Sequence, residues 1–372
     1  MRVVHLSKVK GIAGSERHLL TLLPGLAGRG VDVSMWVLAE PGGSADSFCE
    51  AMQARGVPVR MFAIRGHLDL SLPGRLSAAL RNARPDIVHT HLVHADLYGL
   101  PAAHRAGVSH AISSRHNDNP FRRRTGLKLL NRRAMRRASR VIAISKALAG
   151  FVQQVEGIEA DKVVTIRYGL EPPVQDLAAA RQAARAAWGV DNSVPVVGFF
   201  GRLIEQKGVD TLLGAWVQVS RQYPAARLVI VGDGKERPAL EARAAALGLN
   251  GVRFAGWAAD AACLMPGCDI IAMPSRWEGF GLVALEAMAA ARPLVASRVS
   301  ALPEIVVDLE TGLLVPSGDP AALAEAIAGL LADPAWAQAM GQAGRARLVE
   351  AFSPGRMIDE TLAVYEDVMR GA

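Results

Sequence analysis

Short apolar runs recur along the chain, and most are followed by stretches whose leucines and alanines repeat at helical spacing. In the first half the runs are RVVHLS, VDVSMWVLA, VPVRMFAI, DIVHTHL, HAISSRH, RVIAIS and KVVTIRYG. Between the first two, SERHLLTLLPGLAGRG sets Leu19, Leu22, Leu23 and Leu26 on one helical face. Ser15 is a candidate cap for that helix, Gly28 and Gly30 mark its end, and Pro24 is expected to kink or shorten it. Near-continuous apolar strands alternating with helices predict a parallel sheet covered on both faces.

The rhythm breaks at LEPPVQDLAAARQAARAAWGVDNS, where two prolines, an alanine-rich polar helix and a turn cluster read as an interdomain connection over residues 171–195. A second strand–helix series follows in VPVVGFFGRL, ARLVIVGDG, VRFAGW, DIIAMPS, PLVAS and GLLVP. The expected fold class is therefore α/β, with Rossmann-like domains over residues 1–170 and 196–351. In such sheets ligands bind at the carboxyl ends of the strands, and two facing sheets create a cleft.

A chain of 372 residues is long enough for two domains, and 51% hydrophobic with 21% charged residues is the balance of a packed protein. No apolar run reaches the ~18 residues of a spanning helix, and the opening MRVVHLSKVK is too short in apolar residues for a secretory signal. Cys49, Cys263 and Cys268 have neither disulfide-framework nor zinc-ligand spacing, so no metal and a reducing, cytoplasmic setting are expected. The net charge of +7 is uneven: residues 1–170 carry 25 basic against 12 acidic side chains, and the remainder 17 against 23. All nine histidines fall in the first part.

Three strand exits in the second half carry chemistry. VVGFFGRLIEQKGVDTLL ends a strand at Gly201 and offers Arg202 and Lys207 ahead of a helix, a pair suited to a diphosphate or simply two surface cations. VIVGDGKERPALE is a weaker glycine exit. PSRWEGFGLVALEAMAAA places Glu278 before a helix and Glu286 within it, and the amides of Phe280, Gly281 and Leu282 fall at a helix N-terminus that favours an anion. Read blandly, Glu278 only helps cap that helix and Glu286 pairs on its face.

Taken together, GRLIEQKG, VIVGDG, VRFAGW and PSRWEGFGLVALEAMA resemble the retaining glycosyltransferases of family four, whose mark is two glutamates separated by seven residues. GSERHLLTLLPGLAGRG, RPDIVHTHL and RVIAISKAL are similar to that family's N-terminal motifs, so the likeness spans nearly the whole chain. It implies the GT-B fold, two Rossmann-like domains facing across a cleft, with the last helix, over 352–372, returning to the N-terminal domain. It further implies that Arg202 and Lys207 hold a nucleotide-sugar's diphosphate. Glu286 would bind ribose hydroxyls, Glu278 the donor-sugar hydroxyls, and Gly201 with the Phe280–Leu282 amides the phosphate. Gly14 would line the cleft opposite, and His116 would sit near the reacting sugar. Two departures stand out: Ala13 occupies a position that is glycine in the family, and Tyr168 one that is commonly asparagine.

The implied reaction moves a sugar from a nucleoside diphosphate, such as a UDP-sugar, to an acceptor hydroxyl with retained configuration. The expected setting is cell-envelope polysaccharide, lipopolysaccharide or glycolipid synthesis. No Asp-x-Asp pair occurs, so no metal or other cofactor is expected. FRRRTGLKLLNRRAMRRASR, residues 121–140, carries nine basic residues and no acidic one. It reads either as a solvated face or as a contact for an anionic membrane surface, and its single aromatic, Phe121, argues against nucleic acid. A saccharide or lipid-linked acceptor and a peripheral place at the inner membrane face would suit the membrane reading. Competing functions are a non-catalytic sugar-nucleotide or membrane-binding protein and a sugar-nucleotide epimerase. A dehydrogenase lacks its glycine fingerprint here, and a glycosidase gives no reason for Arg202 and Lys207.

Overall fold

A computed structural model describes residues 1–40, 42, 45–65, 69–118, 131–173 and 176–371. The backbone divides into two compact units, Met1–Gly169 with Pro354–Ala372, and Leu170–Ser353. The first holds β1 (Arg2–Lys8), β2 (Asp32–Ala39), β3 (Val59–Ala63), β4 (Ile87–His91), β5 (His110–Arg115), β6 (Arg140–Ala143) and β7 (Val163–Thr165). They pair in parallel in the order β3-β2-β1-β4-β5-β6-β7. The second holds β8 (Val196–Phe200), β9 (Arg227–Val231), β10 (Val252–Gly256), β11 (Ile270–Met273), β12 (Leu294–Ser297) and β13 (Gly312–Val315), also parallel, in the order β10-β9-β8-β11-β12-β13. Both orders reverse direction beside the first strand, the mark of a doubly wound sheet.

The helices start where local chemistry dictates. Asp319-Pro320 and Asp333-Pro334 each put a carboxylate at the N-cap and a proline at the first helical position, opening Pro320–Ala332 and Pro334–Ala351. The helix Gly14–Ala27 is capped differently from expectation: Ala13 stands at the cap, and Glu16 accepts from the Ala13 N–H at 3.1 Å. Ser15 donates to Glu16 Oε2 instead of capping. Pro24 neither breaks nor shortens the helix, which runs on to Ala27, because neighbouring leucines at 19, 22, 23 and 26 bury their face completely.

Residues 171–195 are no free connector. Their helix, Leu177–Trp188, belongs to the second unit, where Arg185 is buried and donates to the carbonyls of Gly267, Asp191, Asn192 and Val194 and to Asp269. The last helix, Pro354–Arg370, lies in the first unit against Gly14–Ala27. A methyl on Gly25 would come within 2.2 Å of Ile358, and Arg29 and Arg140 pair with Asp359 and Asp367.

Of the basic stretch 121–140, residues 121–130 lie outside the described residues. In the remainder Ala134, Met135 and Ala138 are buried while Arg132, Arg133 and Arg136 are exposed, so the small and apolar side chains there face protein. Among the described residues no helix is long and apolar enough to cross a membrane.

The core of the first unit contains ions. Arg115, without solvent exposure, pairs with Asp96, bonds Glu156 at 3.0 Å and reaches Asn131 at 3.1 Å, while Thr90 and Ser113 donate to Asp96. Burial alone would lower the guanidinium's pKa, but the two carboxylates overcome this and raise it. Replacing Arg115 with leucine leaves both carboxylates buried without their cation. We expect a loss of ~3–5 kcal/mol of stability, read by urea unfolding.

Candidate active site

In the second unit the strand order turns between β8 and β11, so the loops leaving these two adjacent strands lie side by side. They are clasped at several points. The Arg276 N–H donates to the Gln206 carbonyl at 2.8 Å, and Gln206 Nε2 donates to the Trp277 carbonyl at 3.0 Å. Arg276 forks both oxygens of Asp210, at 2.9 and 2.7 Å, and these bonds hold that carboxyl below its usual range. Gly208, with φ +64°, is pressed so closely on this clasp that a β-carbon would sit 2.1 Å from the Pro274 carbonyl oxygen.

The clasp sets Lys207 Nζ 2.5 Å from Glu278 Oε1, with only 14% and 6% of the two side chains exposed. Ser275 Oγ donates to the same carboxylate oxygen at 2.8 Å, and the Glu278 N–H donates to Ser300 Oγ at 3.2 Å. An ammonium has three donors and a carboxylate two oxygens, so each group keeps capacity for a further partner. Gly201 follows β8 at φ +152°, and the next residue, Arg202, is exposed. Gly281, at φ +103°, begins the helix Leu282–Ala289, which carries Glu286. Among the described residues the Gly281 and Leu282 N–H groups have no backbone acceptor. Phe280 is a core side chain, edge-on to Phe352 at 6.2 Å, so its ring is not presented to a ligand.

Gly14 and His116 belong to the first unit. Gly14 opens its helix after Ala13, whose φ of −122° is extended and suits any residue, so the alanine brings no backbone strain. His116 follows β5 and is 8% exposed. Its Nε2 lies 3.0 Å from His91 Nδ1 and its Nδ1 2.5 Å from the Tyr168 hydroxyl. The ring expected to offer a hydrogen bond to a sugar thus has both nitrogens engaged inside its own unit. Tyr168 in turn stacks on His18, ring centres 4.2 Å apart.

His5, His89 and His91 bring ligand-type nitrogens within 4.8 Å of one another, a spacing a metal could use. These nitrogens already bond each other, Tyr365 and Ser114. The group also lacks a carboxylate to offset a cation's charge.

The geometry can be set beside known proteins. Residues 12–172 match the family described as Glycosyltransferase Family 4, and residues 194–333 match Glycosyl transferases group 1. The D-inositol 3-phosphate glycosyltransferase of Segniliparus rotundus is 34% identical over 313 residues, 77% of this chain and 67% of that protein. The protein of the same name from Kineococcus radiotolerans is 32% identical over 95% of this chain and 90% of its own. This chain belongs to glycosyltransferase family 4. The crystal structure of Anabaena Alr3699/HepE in complex with UDP-glucose has a similar fold, with a TM-score of 0.83, 25% identity and coverage of 98% of this chain and 100% of that one. The glycosyltransferase's two parallel α/β units are those of the GT-B class.

Several residues of this glycosyltransferase escaped sequence reasoning. Ser300, Gln206 and the Arg276–Asp210 clasp leave no spacing signal, because each acts across a contact between separate segments, whereas Ser275 bonds Glu278 three residues on within one loop. The histidines had one: His89 and His91 alternate along β4 and so share a sheet face, and β1 register sets His5 opposite His89.

Two outcomes follow. Gly208→Ala should destabilise the protein at least twice as much as Gly248→Ala. Gly248 has φ +68° but open space around it, so it measures the left-handed backbone cost alone, about 1 kcal/mol. Thermal melts of the two variants provide the comparison.

Burial drives His5 and His18 down to about 3 and holds His89 and His91 well below the usual histidine range. The unfolded chain takes up protons on these rings once pH falls below ~6.5, while the folded one does not. Stability should therefore drop on acidification from pH 6.5 towards 4, by ~1.4 kcal/mol per pH unit for each such ring. Urea midpoints across that range measure it, and a flat profile would contradict neutral burial.

Proposed function

We propose that this glycosyltransferase takes its sugar from a nucleoside diphosphate and passes it to an acceptor hydroxyl with the anomeric configuration kept. One observation carries the reading: Lys207 and Glu278 meet at the switch point, beside the open N-terminus of Leu282–Ala289. A diphosphate needs cations and unpaired amides, and a sugar needs a carboxylate that accepts from its hydroxyls. This corner supplies all three within one pair of loops. The UDP-glucose bound to Anabaena Alr3699/HepE supports a uridine donor.

In this reading Arg202 and Lys207 neutralise charge growing on the leaving phosphate as the sugar separates with oxocarbenium character. The Gly281 and Leu282 amides add the helix dipole to that field. Glu278 orients the donor sugar, held in place by Lys207 and Ser275, and Glu286 takes the ribose hydroxyls. Gly14 and His116 keep the roles toward the sugar that the family resemblance implies, His116 acting through the Tyr168 hydroxyl because both of its ring nitrogens are engaged. The leaving phosphate accepts the acceptor's proton on the same face, which accounts for retention without a further carboxylate. The acceptor is a saccharide or lipid-linked hydroxyl of cell-envelope polysaccharide, lipopolysaccharide or glycolipid synthesis.

The decisive assay follows turnover of UDP-glucose and other UDP-, GDP-, ADP- and dTDP-sugars by purified protein, after a thermal-shift screen has ranked donors. Arg202→Ala and Lys207→Ala should each lower turnover by ~10²-fold or more, since each removes a few kcal/mol of charge stabilisation. Activity should survive EDTA. Near-wild-type rates in both variants would remove the diphosphate assignment.

A further inference from the structure

Seven buried groups of the first unit form one unbroken hydrogen-bonded chain. Ser114 Oγ lies 2.7 Å from His89 Nε2, and His89 Nδ1 lies 2.6 Å from the Tyr365 hydroxyl. That hydroxyl is 3.3 Å from His5 Nε2, and His5 Nδ1 is 3.0 Å from His91 Nε2. His91 Nδ1 then meets His116 Nε2, and His116 Nδ1 meets Tyr168. His5, His89, His91 and Tyr365 have no solvent exposure, and none of the seven exceeds 8%.

Proton accounting restricts what this chain can be. A neutral imidazole carries one donor and one acceptor, and a hydroxyl can serve as both. Every link needs one proton, and with four neutral imidazoles the buried Tyr365 hydroxyl is used as a donor within the chain only when the protons all point the same way along it. Two arrangements satisfy this, end-to-end reversals of each other. In one, Tyr168 donates to His116 and each ring passes a donor toward Ser114. In the other, Ser114 donates first and His116 donates to Tyr168. A charged ring would also fill every link, its protons running outward to both ends, but it would leave a cation in a dry core without a counter-ion.

We propose that the chain is a tautomer lock, in which Ser114, His89, Tyr365, His5 and His91 are positioning residues that hold His116 in one tautomer and let it change only together with them. This rests on the reading that His116 serves the donor sugar, and it adds what sets that ring's state. The tautomer decides whether His116 is donor or acceptor toward Tyr168, and so how the pair is polarised. Tyr365 closes the chain from the last helix, linking residues 276 positions apart in sequence. The same occupancy of ring nitrogens leaves no lone pairs for a metal at His5, His89 and His91.

Long-range ¹H–¹⁵N correlation spectra of the ring nitrogens in the intact protein at pH 7 test this. Expected are four neutral imidazoles in a single sense: His89, Nε2–H with His5 Nε2–H, His91 Nε2–H and His116 Nε2–H, or all four as Nδ1–H. A cationic ring, rings of opposed sense, or stoichiometric uptake of added Zn²⁺ with loss of these signals overturns the proposal.

Tyr365→Phe cuts the chain while keeping the ring. It should leave His116 averaging between tautomers and lower kcat about tenfold, with KM for donor little changed. An unchanged His116 spectrum in a folded Tyr365→Phe protein also overturns the lock. Should that variant not fold, the wild-type spectrum alone decides. His116→Ala separates the two readings. Full activity there ends the role of His116 toward the sugar, whereas the wild-type spectrum judges the lock independently.

Discussion

The parallel pairing of β8 with β11 is the constraint on which the candidate site depends. It brings together loops whose key side chains, Lys207 and Glu278, are 71 positions apart in sequence. Neither group would be stable at its low exposure alone, since an unpaired buried charge costs several kcal/mol. The pairing supplies each with its counter-ion, and the clasp of Gln206 and Arg276 with Trp277 and Asp210 keeps the two loops in register. Chemistry and stability therefore come from the same contacts. A change that loosens the clasp moves the ion pair.

The first unit uses a different device. Its sheet interior carries a buried Arg115 cluster and a row of neutral histidines, where an all-apolar core would have sufficed for stability. Such groups are costly unless every donor and acceptor is matched, so they tolerate very few arrangements. Matching them requires the last helix: Tyr365 arrives from the far end of the chain to bond His89, and Ile358 fills the space that glycine leaves at position 25. The polar core thus specifies where that helix sits as well as the state of the rings beneath it.

Family membership adds range to this picture. The related proteins include D-inositol 3-phosphate glycosyltransferases and an alpha-maltose-1-phosphate synthase of Mycolicibacterium smegmatis, 31% identical over 76% of this chain. One scaffold thus serves proteins named for different products. A fixed sheet with variable surroundings is the arrangement expected when a fold hosts many functions.

Much of this protein was legible in one dimension. Apolar runs alternating with helical periodicity predicted two parallel α/β units, and glycine, lysine and glutamate at strand exits marked Gly201, Lys207, Glu278 and Gly281, because strand period, helix capping and left-handed glycine are local properties. Pro24 does not shorten its helix, and the helix Leu177–Trp188 is bonded into the second unit, for the complementary reason. Local breakers predict breaks, but burial of a leucine face and the bonds of Arg185 outweigh them. The joining of the histidines into one chain, the Arg115 cluster and the Ser300 contact were decided by tertiary structure. Each depends on which distant atoms come within about 3 Å, and that is settled by strand register and helix docking, not by spacing along the chain.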